Sequence, residues 1–232
     1  MNKNIEKFLE DRYDPVNNRT VFYENDARIS TILSLVDHSD EKIKALDIAC
    51  YDGTIAKLIK DKIGNCDMYG IDYSNNTEKL VKEKGINFKK VDLNKGIDFP
   101  DNTFDIIFAG EIIEHIYDTD LFIQEVKRVL KPNGKFIVTT PNVVSFGRRI
   151  MYLFGIGAFM EASLTYPKEP LAAGHIRFYT HKLLIDFMKF NKFELIKSTS
   201  DTVNLFVTDI PFLAKIFPSL GRGVICVFKN IK

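Results

Sequence analysis

The fold is decided by one stretch, Lys44-Ala-Leu-Asp-Ile-Ala-Cys-Tyr-Asp-Gly-Thr-Ile-Ala-Lys-Leu-Ile59. Its first half is a short apolar run that ends at Ile48, as a buried strand does. Small residues and Gly53 follow, and apolar side chains then recur at helical spacing from Ile55 onward. The stretch therefore predicts a strand, an abrupt turn and an amphipathic helix. The N–H groups of the first helical turn have no partners within the helix, so they can donate hydrogen bonds to a ligand at the end of the strand. The stretch therefore also predicts a binding crevice there.

A second apolar segment, Met68-Tyr-Gly-Ile71, ends at Asp72. This acid follows Gly53 by about 20 residues, the spacing at which a carboxylate accepts hydrogen bonds from both hydroxyls of a ribose. The sequence therefore predicts a nucleoside site. The alternative is that Asp72 only caps the helix that begins near Asn75 and Asn76.

These segments resemble the class I S-adenosylmethionine-dependent methyltransferases, in particular their small-molecule branch, over roughly residues 40 to 200. In that family the first strand ends in an acid followed by a Gly-x-Gly-x-Gly turn. Asp47 matches the acid and Gly53 the last glycine, whereas Ala49 and Tyr51 stand at the first two glycine positions. Glycine adopts conformations there that are costly for other residues. Tyr51 either turns its ring away from the pocket or narrows it.

Further segments match the family in the expected order. They are the adenine-binding pair Asp92-Leu93, the polar turn leading into the fourth strand (99–108), the loop 109–116 that runs under the sulfonium, the helix end and turn 128–134, and the fifth strand 135–140. The resemblance implies an α/β, Rossmann-like fold with a seven-stranded, mostly parallel sheet, helices on both faces and an antiparallel last strand. The alternative for Asp92 is a turn residue at a strand end.

The resemblance also implies an enzyme that uses S-adenosylmethionine as cofactor and releases S-adenosylhomocysteine, with a small molecule as the methyl acceptor and no metal ion. It assigns a set of residues to cofactor binding. These are Asp47, Ala49, Cys50, Tyr51, Gly53, Asp72, Tyr73, Asp92, Leu93, Gly110 and Glu111.

On the acceptor side we expect His115, His175, Arg177 and Tyr179. If the acceptor is a sugar, phenol or other hydroxyl, His115 or His175 is the candidate catalytic base, with Glu111 orienting it. A carboxylate or phosphate-type acceptor needs no base, and Arg177 would then hold its charge. The predicted reaction is methyl transfer to oxygen, with nitrogen as the lesser candidate, on a sugar, a lipid-linked molecule or a quinone-type acceptor.

Each of these assignments has a structural alternative. Glu111, Glu114 and His115 are equally typical of a solvated first helical turn, where carboxylates complement the helix dipole. His175 and Arg177 would instead make structural hydrogen bonds at a strand edge. The sequence does not decide between the two interpretations.

Composition narrows the classes of partner. With 32 basic and 31 acidic residues, the net charge of +1 gives no general signature of nucleic-acid binding. The cysteines Cys50, Cys66 and Cys226 are far apart and form neither a metal-ligand set nor a disulfide framework. A polar start of the chain and reduced cysteines are typical of a cytoplasmic protein.

The chain is expected to form a single domain over residues 1–232. Residues 1–40 would form a helical cap with Ile29, Ile32, Leu33 and Val36 on its apolar face. The insertion 141–180 would form the acceptor pocket or a lid. Within it, 148–160 is too short to span a bilayer, which takes about 20 residues. It suits an apolar lid over the acceptor or peripheral contact with a lipid-linked substrate, and the alternative is ordinary packing.

Two other functions are compatible with a strand, a turn and a ribose acid. A nicotinamide-dependent oxidoreductase is disfavoured, because 49–53 lacks the Gly-x-Gly-x-x-Gly on which a pyrophosphate rests. The replaced glycines would also suit a non-catalytic relative that binds a nucleoside or a partner protein.

Overall fold

The computed structural model describes residues 26–74, 76–156, 174–205 and 208–232. The strands are β1 (Ser39–Ile48), β2 (Gly64–Asp72), β3 (Asn87–Lys90), β4 (Phe104–Gly110), β5 (Leu130–Pro141), β6 (Phe193–Thr199), β7 (Val203–Leu205), β8 (Thr208–Ile210) and β9 (Gly223–Asn230). The α-helices are α1 (Ala27–Leu33), α2 (Thr54–Ile63), α3 (Thr77–Glu83), α4 (Thr119–Val129), α5 (Phe146–Leu153), α6 (His181–Phe190) and α7 (Pro211–Ile216). Short 3-10 helices lie at Leu93–Lys95, Ile113–His115 and Pro218–Leu220.

Seven strands form one sheet in the order β3-β2-β1-β4-β5-β9-β6, and β7 and β8 pair separately. The strands from β3 to β5 are parallel, whereas β9 lies antiparallel between β5 and β6. The predicted sheet with an antiparallel last strand is therefore confirmed. The chain leaves β1 toward β2 on one side and returns as β4 on the other. A crevice at such a switch point, outside the carboxyl ends of β1 and β4, is where open α/β sheets bind ligands.

Helices cover both faces of the sheet, as expected. Because successive side chains of a strand point to opposite faces, Ala45 and Leu46 of β1 belong to different hydrophobic clusters. One cluster is completed by α4 and α6, through side chains such as Phe122 and Leu184. The other is completed by α1, α2 and α3. Because both faces of the sheet are buried, each strand is held in one position, and so are the loops that follow the strands.

Several predicted boundaries shift. β1 begins at Ser39, so the end of the predicted 1–40 cap is strand, and residues 1–25 lie outside the described residues. β5 begins at Leu130, because the Pro-Asn-Gly turn continues the strand as an irregularity, with Asn133 at φ 63° and a register shift against β4.

The insertion 141–180 is described in part. It contains α5, and its residues 157–173 lie outside the described residues. Of the predicted peripheral segment 148–160, the described part leaves Leu153 79% exposed and Phe154 76% exposed. In the ranges that the structure covers, no helix has the length and apolar character needed to cross a membrane.

Candidate active site

The turn after β1 has the backbone conformation of a glycine-rich loop, although only the last of the three glycines, Gly53, is present. Ala49, Tyr51 and Gly53 all have positive φ, at 59°, 51° and 77°. In this region a non-glycine residue costs roughly 1–2 kcal/mol. The turn is held by hydrogen bonds from the amide of Cys50 to the carbonyl of Ile71 (3.0 Å) and from the amide of Gly53 to the carbonyl of Cys50 (2.8 Å). The surrounding structure therefore imposes the strained conformation.

We expect Ala49→Gly to stabilise the protein by about 0.5–1 kcal/mol, because glycine adopts positive φ freely while losing more chain entropy on folding. The matched control is Ala56→Gly, at a buried position in the first turn of α2, which should destabilise the protein by about 1 kcal/mol. Urea unfolding of both variants measures the two changes. A loss of stability in Ala49→Gly as large as in the control would show that the turn is not strained at this residue.

A cavity of about 300 Å³ opens at the carboxyl ends of β1 and β4, within the size range of small-molecule sites. Its lining comprises Arg28, Ile32, Asp47, Ala49, Cys50, Tyr51, Asp52, Ile55, Phe108, Gly110, Glu111 and Thr139. The predicted residues Asp47, Ala49, Cys50, Tyr51, Gly110 and Glu111 are thus brought together in one cavity. Since Tyr51 is among the lining residues, it contributes to the cavity wall.

Acidic groups dominate the electrostatics of this cavity. Asp47 is only 2% exposed. Burial, reinforced by the charges of Asp72 and Asp52, raises its pKa well above the ordinary value. Burial also raises the pKa of Asp72, although hydrogen bonds from backbone N–H groups oppose that effect. A cationic ligand would relieve this accumulation of buried negative charge.

Asp72 joins the turn to the end of β2. Its Oδ2 accepts the N–H of Tyr51 at 2.9 Å, and its Oδ1 accepts the N–H of Ser74 at 3.0 Å. The backbone N–H of Tyr73 also donates to this carboxylate. Because a carboxylate offers about four acceptor positions, one remains for a ligand. Asp72 therefore positions the strained turn and presents an acceptor beside it.

The other predicted cofactor residues are not among those that line the cavity; they are Gly53, Asp72, Tyr73, Asp92 and Leu93. Asp92 follows β3 and caps the first 3-10 helix by accepting the N–H of Asn94 at 3.1 Å. Burial tends to raise its pKa, but hydrogen bonds from Asn94 and Lys95 bring it below the ordinary value. The ring of Tyr73 lies under the ammonium of Lys90, 5.3 Å from it. The adenine role of Asp92 and Leu93 stays a prediction.

Arg28 and Thr139 belong to the site although the sequence interpretation did not include them. Arg28 extends from α1 and its Nη1 lies 3.2 Å from Oε2 of Glu111. The hydroxyl of Thr139 donates to Oε1 of the same carboxylate at 2.8 Å. No sequence motif around Arg28 indicates a functional role, and the residue looks like an ordinary member of a first helical turn. Only the placement of α1 over the sheet brings it to Glu111.

Beyond the cavity, Glu114, His115 and His175 form a cluster whose nitrogen and oxygen donor atoms lie within 4.8 Å of one another. Glu114 is 1% exposed, so for this residue the interpretation as a solvated helical turn is wrong. Its burial comes from the end of the insertion, where the amides of Ile176 and Arg177 donate to its carbonyl. Burial and the nearby charge of Glu111 raise the pKa of the Glu114 carboxyl to about 8.

Arg177 and Tyr179 make structural contacts. The guanidinium of Arg177 donates to the carbonyls of Ile116 and Tyr117. Tyr179 is 5% exposed, and burial raises the pKa of its phenol to about 12. It also pairs with Asn142 in an isolated bridge. These contacts fasten the end of the insertion to the loop after β4, and acceptor binding by either residue stays a prediction.

Residues 46–138 match the family model of the methyltransferase domain. The chain is 30% identical over 166 residues to the demethylmenaquinone methyltransferase of Bacillus mycoides (strain KBAB4), covering 63% of this chain and 69% of that protein. It is 32% identical over 161 residues to the demethylmenaquinone methyltransferase of Anoxybacillus flavithermus (strain DSM 21510 / WK1), covering 63% and 65%. The alignments with curated relatives span between 39% and 69% of those relatives' own length.

Solved structures agree on the fold. A SAM-dependent methyltransferase from Aquifex aeolicus superposes with a TM-score of 0.59 at 15% identity over 100% of both chains. The [4+2]-cyclase SpnF superposes with a TM-score of 0.62 at 17% identity, over 92% of this chain and 83% of that one. At such identities the likeness concerns the fold alone. The match to the Bacillus mycoides protein and the domain model go further: the chain belongs to the class I S-adenosylmethionine-dependent methyltransferases.

Proposed function

We propose that this protein transfers the methyl group of S-adenosylmethionine to an oxygen atom of a partly apolar small molecule. The observation that carries the proposal is the cluster of Glu114, His115 and His175 next to the acidic cavity. An acceptor that is already anionic needs no proton-accepting group, whereas a hydroxyl acceptor does. The cluster therefore favours an acceptor with a proton to lose.

The cavity residues fit the cofactor of the family. S-adenosylmethionine is doubly cationic at its sulfonium and ammonium groups, and it also carries a carboxylate and a ribose. Asp47 and Glu111 offer negative charge, and Asp72 offers an acceptor for a ribose hydroxyl. Arg28 offers a cation for the carboxylate. When bound there, the cofactor supplies an electrophilic methyl group on a good leaving group.

The tasks left to the chain are positioning and proton transfer. Holding an acceptor in line with a reacting carbon is worth up to about 7–11 kcal/mol. Nδ1 of His115 lies 3.0 Å from the carbonyl oxygen of Gly174, and since a carbonyl only accepts, this nitrogen carries the proton. Nε2 is then the nitrogen with the lone pair, which can take the proton of an acceptor hydroxyl. His175 lies beside it, with the ring centroids 5.0 Å apart.

The apolar side chains near the insertion support a partly hydrophobic acceptor. Leu153, Phe154 and Ile156 are all exposed and lie within four consecutive positions. Exposed apolar groups of this kind are typical of a surface that meets an apolar ligand or a lipid. A quinone-type or lipid-linked acceptor therefore fits better than a free sugar.

The second candidate reaction is methylation of carbon. It is favoured by the relatives named demethylmenaquinone methyltransferase and by one from Desulfotalea psychrophila named ubiquinone/menaquinone biosynthesis C-methyltransferase. Loss of the proton from a hydroxyl on an aromatic ring makes the neighbouring ring carbon nucleophilic as well. The same histidine base would serve either reaction.

Product analysis decides between the two. The protein would be incubated with methyl-labelled S-adenosylmethionine and a prenylated hydroquinone, and the product analysed by mass spectrometry and NMR. We expect a methoxy group. A ring-bound methyl group would overturn transfer to oxygen. The acceptors tested would include quinols, lipid-linked phenols and sugars. If none of them takes up label although S-adenosylhomocysteine binds, the protein is better described as a non-catalytic relative that binds a nucleoside.

A further inference from the structure

We propose that Glu114, His115 and His175 form a binding site for one divalent transition-metal ion. The three residues come from two segments about 60 positions apart in the chain, the 3-10 helix after β4 and the end of the insertion. Their donor atoms converge within 4.8 Å. Two imidazoles and one carboxylate are a ligand set that such ions accept, with further positions left for water or substrate.

The spacing of the donor atoms suits a shared ion. Nε2 of His175 and Oε1 of Glu114 lie 3.9 Å apart, too far for a hydrogen bond. Ligands held at about 2.1 Å from one ion lie roughly 3–4 Å from each other. The gap between the two atoms therefore has the size of two metal-ligand bonds that meet at an angle.

The second observation is a buried carboxylate oxygen that lacks a hydrogen bond. Oε2 of Glu114 accepts the hydroxyl of Thr140 at 2.9 Å, but Oε1 has no hydrogen-bond partner within the part of the chain that the structure describes. Leaving a buried polar group in this state costs about 1–3 kcal/mol. A cation between Oε1 and the imidazoles would remove that cost.

The histidine next to it is already oriented as a ligand. A metal-bound imidazole almost always donates its other N–H to a carbonyl or carboxylate, which fixes the ring and the tautomer. In His115 this role falls to Nδ1, which lies 3.0 Å from the carbonyl oxygen of Gly174. The hydroxyl of Thr140 orients the carboxylate of Glu114 in the same way.

The ligand types narrow the identity of the ion. Magnesium and calcium prefer sites made of oxygen atoms. Two imidazole nitrogens favour zinc, cobalt, nickel, iron or manganese instead. We therefore expect Co²⁺ and Zn²⁺ to bind more tightly than Mg²⁺ does.

The site borders the cofactor cavity. Thr139 and Thr140, adjacent residues of β5, donate to Glu111 and Glu114 respectively. Glu111 lines the cavity and Glu114 belongs to the cluster, so the ion would lie next to the cofactor. With the ion bound, Nε2 of His115 is a ligand and no longer the proton acceptor, and the ion would instead make a bound hydroxyl more acidic. This use of the ion rests on the proposed function, whereas its binding does not.

The test uses the full chain without a polyhistidine tag, stripped of metals with a chelator. Titration with Co²⁺, followed by visible absorption and elemental analysis, should give one ion per chain. Because the ion joins two segments only in the folded protein, Co²⁺ should also raise the melting temperature. Glu114→Gln, His115→Ala and His175→Ala should each weaken Co²⁺ binding at least tenfold. The matched control is His38→Ala, an exposed histidine at the opposite end of the sheet, which should bind Co²⁺ as the unchanged protein does.

Three outcomes would overturn the proposal. One is that the stripped protein binds S-adenosylhomocysteine but takes up neither Co²⁺ nor Zn²⁺. Another is that the His115→Ala/His175→Ala double variant retains the ion while remaining folded by circular dichroism. The third is equal loss of binding in His38→Ala. If the stripped protein methylates its acceptor at full rate, the ion takes no part in the reaction and the proposed function stands. If Co²⁺ binds but no methyl group is transferred, the metal site stands and the proposed function does not.

Discussion

Replacing Asp72 with alanine is expected to weaken the binding of S-adenosylhomocysteine at least tenfold. The carboxylate accepts three backbone N–H groups and keeps an acceptor position for a ribose hydroxyl of the ligand. Hydrogen bonds to a charged group are worth about 1.5–3 kcal/mol each. The same substitution removes the acceptor for the amide of Tyr51 and so loosens the turn that lines the cavity. Isothermal titration calorimetry of both proteins measures the difference.

The control for this experiment is Asp67→Ala, the same substitution in the same strand. Asp67 lies in β2 and pairs with Lys42 at 2.9 Å, away from the cavity. Its loss should leave the affinity within about twofold, since exposed ion pairs contribute little. If the two variants bind the ligand equally well, Asp72 does not belong to the cofactor site and is only a structural acceptor for the turn.

The order of the elements that build the cofactor site could be predicted from local patterns. The apolar run before Ile48, the helical spacing after Gly53 and the acid at Asp72 each reflect a local requirement, namely burial of a strand, amphipathicity of a helix and placement of a polar group at a strand end. Because parallel strands end at the same edge of a sheet, correct elements in the correct order suffice to bring these residues together.

The cluster beside the cavity could not be predicted in this way. The acids and the histidine among residues 111–115 are typical of an exposed helical turn, but Thr140 and the distant residues 174–177 contact Glu114, which is buried. The role of Arg28 likewise depends on how α1 packs on the sheet. Long-range packing decides burial, and burial converts a solvated carboxylate into one that requires a cation or a proton.

At the two replaced glycines, the sequence departs from the family pattern but the backbone conformation does not. A pattern lacking two of three glycines suggests a different turn, yet Ala49 and Tyr51 retain the left-handed conformation. The neighbouring strand supplies the hydrogen bonds that hold them there. Backbone geometry is thus maintained by the surroundings of the turn, at the cost of strain, after the residues that suit it best have been replaced.

Asp47→Asn is expected to change stability and cofactor affinity in opposite directions. Burial and the charges of Asp72 and Asp52 raise the pKa of Asp47 well above its ordinary value. A carboxyl whose pKa is raised by folding contributes stability below its unfolded pKa of about 4 and loses it as the pH rises through the folded pKa. Asparagine carries no charge at any pH, so the variant should be more stable than the unchanged protein at pH 8, by roughly 1 kcal/mol.

Urea unfolding of the ligand-free protein at pH 5 and pH 8 measures this effect, and the gain at pH 8 should exceed the gain at pH 5. Asp61→Asn, which removes an exposed acid paired with Lys57 in α2, should show no such dependence. S-adenosylmethionine should meanwhile bind Asp47→Asn at least tenfold more weakly, because a cationic ligand loses a buried negative partner. Equal affinity for both proteins would mean that the negative charge of Asp47 serves no bound cation, and a lower stability at pH 8 would mean that the charge is compensated within the chain itself.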